Sequence, residues 1–149
     1  MPEQPSPEAR KDYNSLLELL MSFAEEMLKK HGEFYPFGGS VSTTGQVNAH
    51  TTYDGNEMPA SEDVIAFLVR VFQEDARANK VRATGICYDG RILQDGKKVD
   101  AVIISLEHVS GNATKTGVPY TKGLFGKYRF GEIIASFDEP KIFGAGSPG

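Results

Sequence analysis

Residues 31–41 read His-Gly-Glu-Phe-Tyr-Pro-Phe-Gly-Gly-Ser-Val, and the fold turns on this joint. Lys29, Lys30 and His31 put cations in a last helical turn, where they complement the negative end of the helix dipole. Gly32 suits the left-handed position that closes a helix. Beyond it Tyr35, Phe37, Gly39 and Val41 alternate with Phe34, Pro36, Gly38 and Ser40, a period of two that predicts a strand. Pro36 cannot donate to a ladder, so this strand should lie at an edge, start at the proline or bulge there. The Gly38-Gly39 pair lets something approach the backbone closely, either a helix packed across the strand or a ligand.

Upstream, Ser6 before Pro7 and Glu8 predicts a helix cap, with Asp12 or Asn14 capping a shorter helix as the alternative. Tyr13, Leu16, Leu17, Leu20, Phe23, Ala24, Met27 and Leu28 then recur at spacings of three and four, the apolar face of a core helix. Downstream, the turn at residues 43–46 and the alternation from Val47 to Tyr53 predict a hairpin. Residues 54–59 break the pattern, and Ser61, Glu62 and Asp63 open a second helix, with Val64, Ile65, Phe67, Leu68, Val71 and Phe72 as its apolar residues. Further strands are expected at residues 81–88, 101–109 and 113–120, the first two joined as a hairpin across two Asp-Gly turn signals at 89–90 and 95–96. Residues 122–143 contain Ile133-Ile134-Ala135, which reads equally as a helical turn or an extra strand.

The order α-β-β-α-β-β-β implies an α+β fold with a single five-stranded antiparallel sheet and two main helices. It resembles the profilin-like and roadblock-type scaffolds, in which the first and last strands lie side by side. Such scaffolds often serve as sensors or interaction modules, although fold does not fix function. The run at residues 23–38, Phe-Ala-Glu-Glu-Met-Leu-Lys-Lys-His-Gly-Glu-Phe-Tyr-Pro-Phe-Gly, resembles the signature of a family of small bacterial proteins. Cys87-Tyr88-Asp89, Leu106-Glu107-His108 and the closing Glu139-Pro140-Lys141-Ile142-Phe143 fit the same resemblance, which supplies no catalytic residues; the chain departs from it at residues 45–53, so it carries over no role for His50 as a family trait.

A chain of 149 residues suits one domain spanning residues 7–143, with a flexible lead at 1–6 and a disordered tail at 144–149. Sixteen basic against twenty acidic residues give a net charge of −4, which disfavours a surface devoted to nucleic acid. The lone Cys87 cannot form an internal disulfide, and Met1-Pro2-Glu3-Gln4-Pro5 lacks the basic and apolar regions of a signal peptide, so the expectation is a cytoplasmic protein. No stretch has the length of a membrane span.

His31, His50 and His108, with Asp54, Cys87 and Glu107, form the metal-ligand and nucleophile inventory, and their spacings match no metal motif, so neither metal nor cofactor is expected. Cys87 as a nucleophile would need His50 on a facing strand and an acid such as Asp54 behind it. Cysteine at a strand position near Gly85 is ordinarily a small buried hydrophobe, so catalytic residues are not assigned.

The strongest local charge bias is at residues 115–129. There Lys115, Lys122, Lys127 and Arg129 occur without an acid and interleave with Tyr120, Phe125, Tyr128 and the following Phe130. Either this is a strand and loop whose aromatics reach the core while the lysines are solvated, or Lys115, Lys122, Phe125, Lys127, Tyr128 and Arg129 form the candidate binding surface for a protein partner, in a non-enzymatic module that includes the immunity or inhibitor type. A weak nucleic-acid binder through the same cations is one alternative. The other is a small enzyme or ligand sensor with a pocket beside Tyr35, Gly38, Gly39 and His50.

Overall fold

The computed structural model describes residues 4–50 and 60–143. The expected strand beyond His50, the break at residues 54–59, Asp54 and the tail at 144–149 fall outside the described residues.

Helix α1 spans Pro7–His31; Ser6 Oγ accepts from the Ala9 N–H at 3.1 Å, and Gly32, at φ 77°, closes the helix by donating to Leu28 O. Strand β1 is Phe37–Ser42 and β2 is Val47–His50, joined through Gly45 at φ 95°. Helix α2, Ser61–Arg77, opens at Ser61 as expected, after Ala60, which caps it without a side-chain bond. The remaining strands are β3 Val81–Gln94, β4 Lys97–His108, β5 Ala113–Lys122, β6 Tyr128–Phe130 and β7 Ile134–Phe137.

The architecture is α+β with an antiparallel sheet, but among the described residues the sheet has seven strands rather than five. The order is β2-β1-β3-β4-β5-β6, with β7 on β5 beside β6. Both added strands come from residues 122–143: Ile134 to Phe137 pair with Gly117 to Thr114, and Tyr128 to Phe130 pair with Lys122 to Tyr120. The first strand lies between β2 and β3, not beside the last, so the adjacency of the profilin-like and roadblock-type sheets is not present. Pro36 immediately precedes β1, which is an interior strand, and the β1–β3 register shifts between Val41 and Ser42.

The β3–β4 hairpin is longer than the sequence pattern implies. Asp89-Gly90 is not a turn: both residues continue β3 opposite Val102 and Ala101. The reversal comes at Asp95-Gly96, where φ is 51° and 79°, the paired positive φ of a two-residue hairpin loop. Gly90 is needed within the strand because a Cβ there would sit 2.9 Å from Ile103.

The helices cover opposite faces of the sheet. Leu16, Leu20, Ala24 and Leu28 of α1 pack with Val41, Ala83, Cys87, Val102, Ile104 and Leu106. On the other face Val64, Leu68 and Phe72 of α2 pack with Val81, Ile86 and the closing Ile142 and Phe143. Burying each large side chain of this kind is worth roughly 1.5–3 kcal/mol. Among the described residues no helix is long and apolar enough to cross a membrane.

Candidate functional site

The two glycines of the opening joint serve different helices. A Cβ on Gly38 would lie 2.9 Å from the Phe72 ring of α2, whereas one on Gly39 would lie 3.2 Å from Leu16 and 3.3 Å from Leu20 of α1. Gly38 and Gly39 therefore face opposite sides of the sheet, and helix side chains occupy the space beside each. His50 lies opposite Gly38, stacks edge-on to Phe72 at 5.3 Å and shares a 2.8 Å hydrogen bond between Nε2 and Ser40 Oγ. Burial pushes its pKa down. Tyr35 is half-buried just ahead of β1. Cys87 is opposite Phe37, one register step from the Gly38–His50 pair and so on the other face; it is fully buried, and desolvation holds its thiol protonated. Cys87 and His50 are thus not brought together.

A second polar constellation was missed in the sequence. Asp12, on the buried stripe of α1 between Ala9 and Leu16, accepts two bonds from Arg82 at 2.9 and 3.0 Å. Its Oδ2 also lies 3.2 Å from His108 Nε2, and His108 Nδ1 lies 2.8 Å from Ser110 Oγ. The string Asp12–His108–Ser110 has the residue types of a nucleophile relay, but the amides around Ser110 turn inward: its own N–H donates to His108 Nδ1 and that of Gly111 to His108 O. With those donors spent there, the cluster pins α1 to β3 and to the β4–β5 turn. Tyr13 adds to the same pin by donating to Asn112 O at 3.0 Å and to Asn112 Oδ1 at 2.7 Å. Its helical signal is an acid at the i−4 position from Leu16, inside an apolar stripe.

Glu107 makes a third polar anchor, on the α2 face. Its carboxylate accepts from the backbone N–H groups of Lys141, Ile142 and Phe143 at 2.8–3.3 Å, tying the last described segment across the sheet. Burial raises its pKa despite those three donors. Among the described residues no group of three or more His, Cys, Asp or Glu side chains is placed to hold a metal ion.

The residues proposed for binding separate into two places. Lys115 sits in mid-strand opposite Ser105 and Ser136. At about 3.3 Å per residue it is about 23 Å from Lys122. The others gather at the end of the β5–β6 hairpin, where Lys122 faces Tyr128 and Arg129 faces Thr121. Tyr128 turns toward α1 and packs on Tyr120 at 5.7 Å between ring centres. The hairpin closes through Gly123 N–H to Lys127 O at 2.6 Å, and a short 3-10 turn at Leu124–Gly126 forms its tip. Leu124 is 82% exposed and Phe125 97%. Phe125 also holds φ 61°, ψ 29°, a left-handed conformation that costs an ordinary L-residue about 1–2 kcal/mol.

Compared with protein families, curated proteins and solved structures, the chain shows no match.

The structure adds residues that the linear charge run did not contain. The β4–β5 ladder runs from Glu107 opposite Ala113 to Ala101 opposite Pro119, and because the strands are antiparallel the Asp95-Gly96 turn lies at the same end of the sheet as the Leu124-Phe125 tip. Lys97 and Lys98 are exposed there, with Leu93 opposite Lys98 and 71% exposed. Past Ala101 and Pro119 the two hairpins part, and a cleft of about 270 Å³ opens between Gln94 and Val99 on one arm and Pro119, Thr121, Arg129 and Phe130 on the other. Tyr120 OH donates to Asp89 Oδ1 at 2.7 Å and braces the base of the second arm. Among the described residues none of Lys97, Lys98, Lys122, Lys127 and Arg129 is engaged in an ion pair.

Proposed function

We propose that the protein is a non-enzymatic, cytoplasmic protein-binding module that presents the β5–β6 hairpin tip to a partner with an apolar pocket rimmed by acids. The observation that carries this reading is Phe125, an aromatic side chain 97% exposed on a backbone of positive φ. Strain that persists with no packing to offset it points to use rather than stability. Exposed apolar residues at the centre, ringed by Lys122, Lys127 and Arg129, match the composition of a binding hot spot: an aromatic anchor with cations that steer an acidic partner. The immunity or inhibitor type is one form such a module takes.

The test is capture of partners by the tagged protein, identification of the retained protein, and measurement of its affinity with both components purified. Phe125→Ser should weaken binding at least tenfold, and Lys122→Ala with Lys127→Ala should slow association and reduce its salt dependence. A partner that binds the parent and both variants equally would remove the tip from the interface. Saturable, tip-dependent binding to vesicles of anionic phospholipid, in place of any protein, would transfer the surface to a different class of target.

A further inference from the structure

We infer that the slot between the two hairpin arms receives an extended, acidic segment of the partner as an added strand, with Arg129 taking a carboxylate side chain of that segment. This rests on the protein-binding reading and says what the partner supplies beside the pocket for Phe125.

Three features of the slot carry it. Among the described residues, 97–100 of β4 continue past the last β4–β5 pair with only β3 beside them, and 120–122 of β5 continue with only β6. Each arm therefore turns a backbone edge toward the slot, the template on which an extended segment adds by main-chain hydrogen bonds. At about 270 Å³ the slot falls just under the size of drug-like ligand sites, which suits one or two side chains of a peptide. Its chemistry is asymmetric: Val99, Pro119 and Phe130 offer apolar surface, and Arg129 a guanidinium whose fork matches a carboxylate.

Charge selects the occupant. Among the described residues that line the slot Arg129 alone is charged, and the exposed Lys97 and Lys98 precede Val99 on the facing arm, where Asp100 is turned to Arg91 at 3.5 Å, in a chain whose net charge is −4. By register Arg129, opposite Thr121, shares a face with Pro119, Val99 and Lys97, so a basic strand would meet Arg129 and Lys97 with like charge, whereas alternating acids and apolar residues would present carboxylates to Arg129 and Lys97 on that face and apolar side chains to Phe130 on the other.

The probe is the blocked hexapeptide acetyl-Val-Glu-Val-Glu-Val-Glu-amide, titrated into the full chain and followed by amide NMR shifts and hydrogen exchange. Saturable shifts at Val99, Thr121 and Phe130 are expected, with slowed exchange at residues 97–100 or 120–122. Arg129→Ala should weaken the peptide at least tenfold and Arg129→Lys by less, and the Gln-substituted hexapeptide should bind at least tenfold more weakly than its Glu parent. Equal binding of the two peptides, shifts confined to Leu124 and Phe125, or binding without exchange protection at either edge would overturn the inference. If no peptide shift appears while a captured partner still depends on Phe125, the slot fails and the protein-binding reading stands. Loss of both would remove the two together.

Discussion

Replacing Phe125 with glycine should raise the stability of the protein while weakening its binding. The side chain is 97% exposed, so of the roughly 200 Å² a phenylalanine can bury only about 6 Å² is covered, worth about 0.15 kcal/mol at 25 cal/mol per Å². The backbone at φ 61° costs about 1–2 kcal/mol with a Cβ present and little without one. Glycine also frees the unfolded chain, which returns about 0.4–1 kcal/mol to the unfolded side. The net is a gain of about 0.5 kcal/mol, or a rise of roughly 1–2 °C in Tm for a chain of this length. Phe125→Ala is the control: it loses the same small contact but retains the left-handed cost, so it should not be stabilised. Thermal unfolding by circular dichroism, with a urea titration beside it, resolves the three proteins. A fall of more than 2 °C in the glycine variant would refute the reasoning, since it would mean that Phe125 packs in solution and is not held out for a partner.

Three other perturbations test the scaffold. Asp12→Ala strands Arg82 and the buried His108, and should cost about 2–3 kcal/mol in urea unfolding, on the low side for breaking a buried pair because the Arg82 side chain is 36% exposed. Gly38→Ala drives a Cβ to 2.9 Å from Phe72 and 3.1 Å from Gly85 O, which should cost about 1–3 kcal/mol and be partly relieved by Phe72→Leu; an unchanged midpoint would show that α2 is not seated there. The pH dependence should carry two opposed contributions. His50 has a folded pKa below 6.5, so the unfolded chain takes up that proton first, and stability falls as pH drops from 6.5 toward the folded value; His50→Gln should remove this slope. Glu107 has a folded pKa above 4.5, so the folded chain holds its proton more tightly, and stability rises as pH falls through the window above 4.5. Glu107→Gln should flatten that rise and speed amide exchange at Lys141, Ile142 and Phe143.

Local patterns made much of the chain legible. The Ser6 cap, the apolar stripe of α1, the left-handed stop at Gly32 and the turn at Gly45 depend on neighbours a few residues away, and each is present where periodicity and turn chemistry put it. The errors arose where a local signal had two meanings. Asp89-Gly90 carries turn chemistry, yet twelve cross-strand pairs between β3 and β4 hold it extended, and the reversal fell to Asp95-Gly96, where both residues could take positive φ. Ile133-Ile134-Ala135 is too short for periodicity to choose between helix and strand, and the free edge of β5 decided for strand.

The sequence by itself determined the elements and the apolar faces, because helix and strand periods are properties of adjacent residues. It also placed cations and aromatics together in residues 115–129, while the exposure of Phe125 at a tip came from the fold. Only the tertiary structure decided which side of the sheet each glycine serves, that Asp12 meets Arg82 and His108, and that Lys115 stands apart from Lys122. It alone set Lys97 and Lys98 at the same end as Arg129, across a slot between two hairpins. Strand adjacency and register join residues far apart in the chain, and no short-range pattern encodes which edges remain unpaired once the sheet has formed.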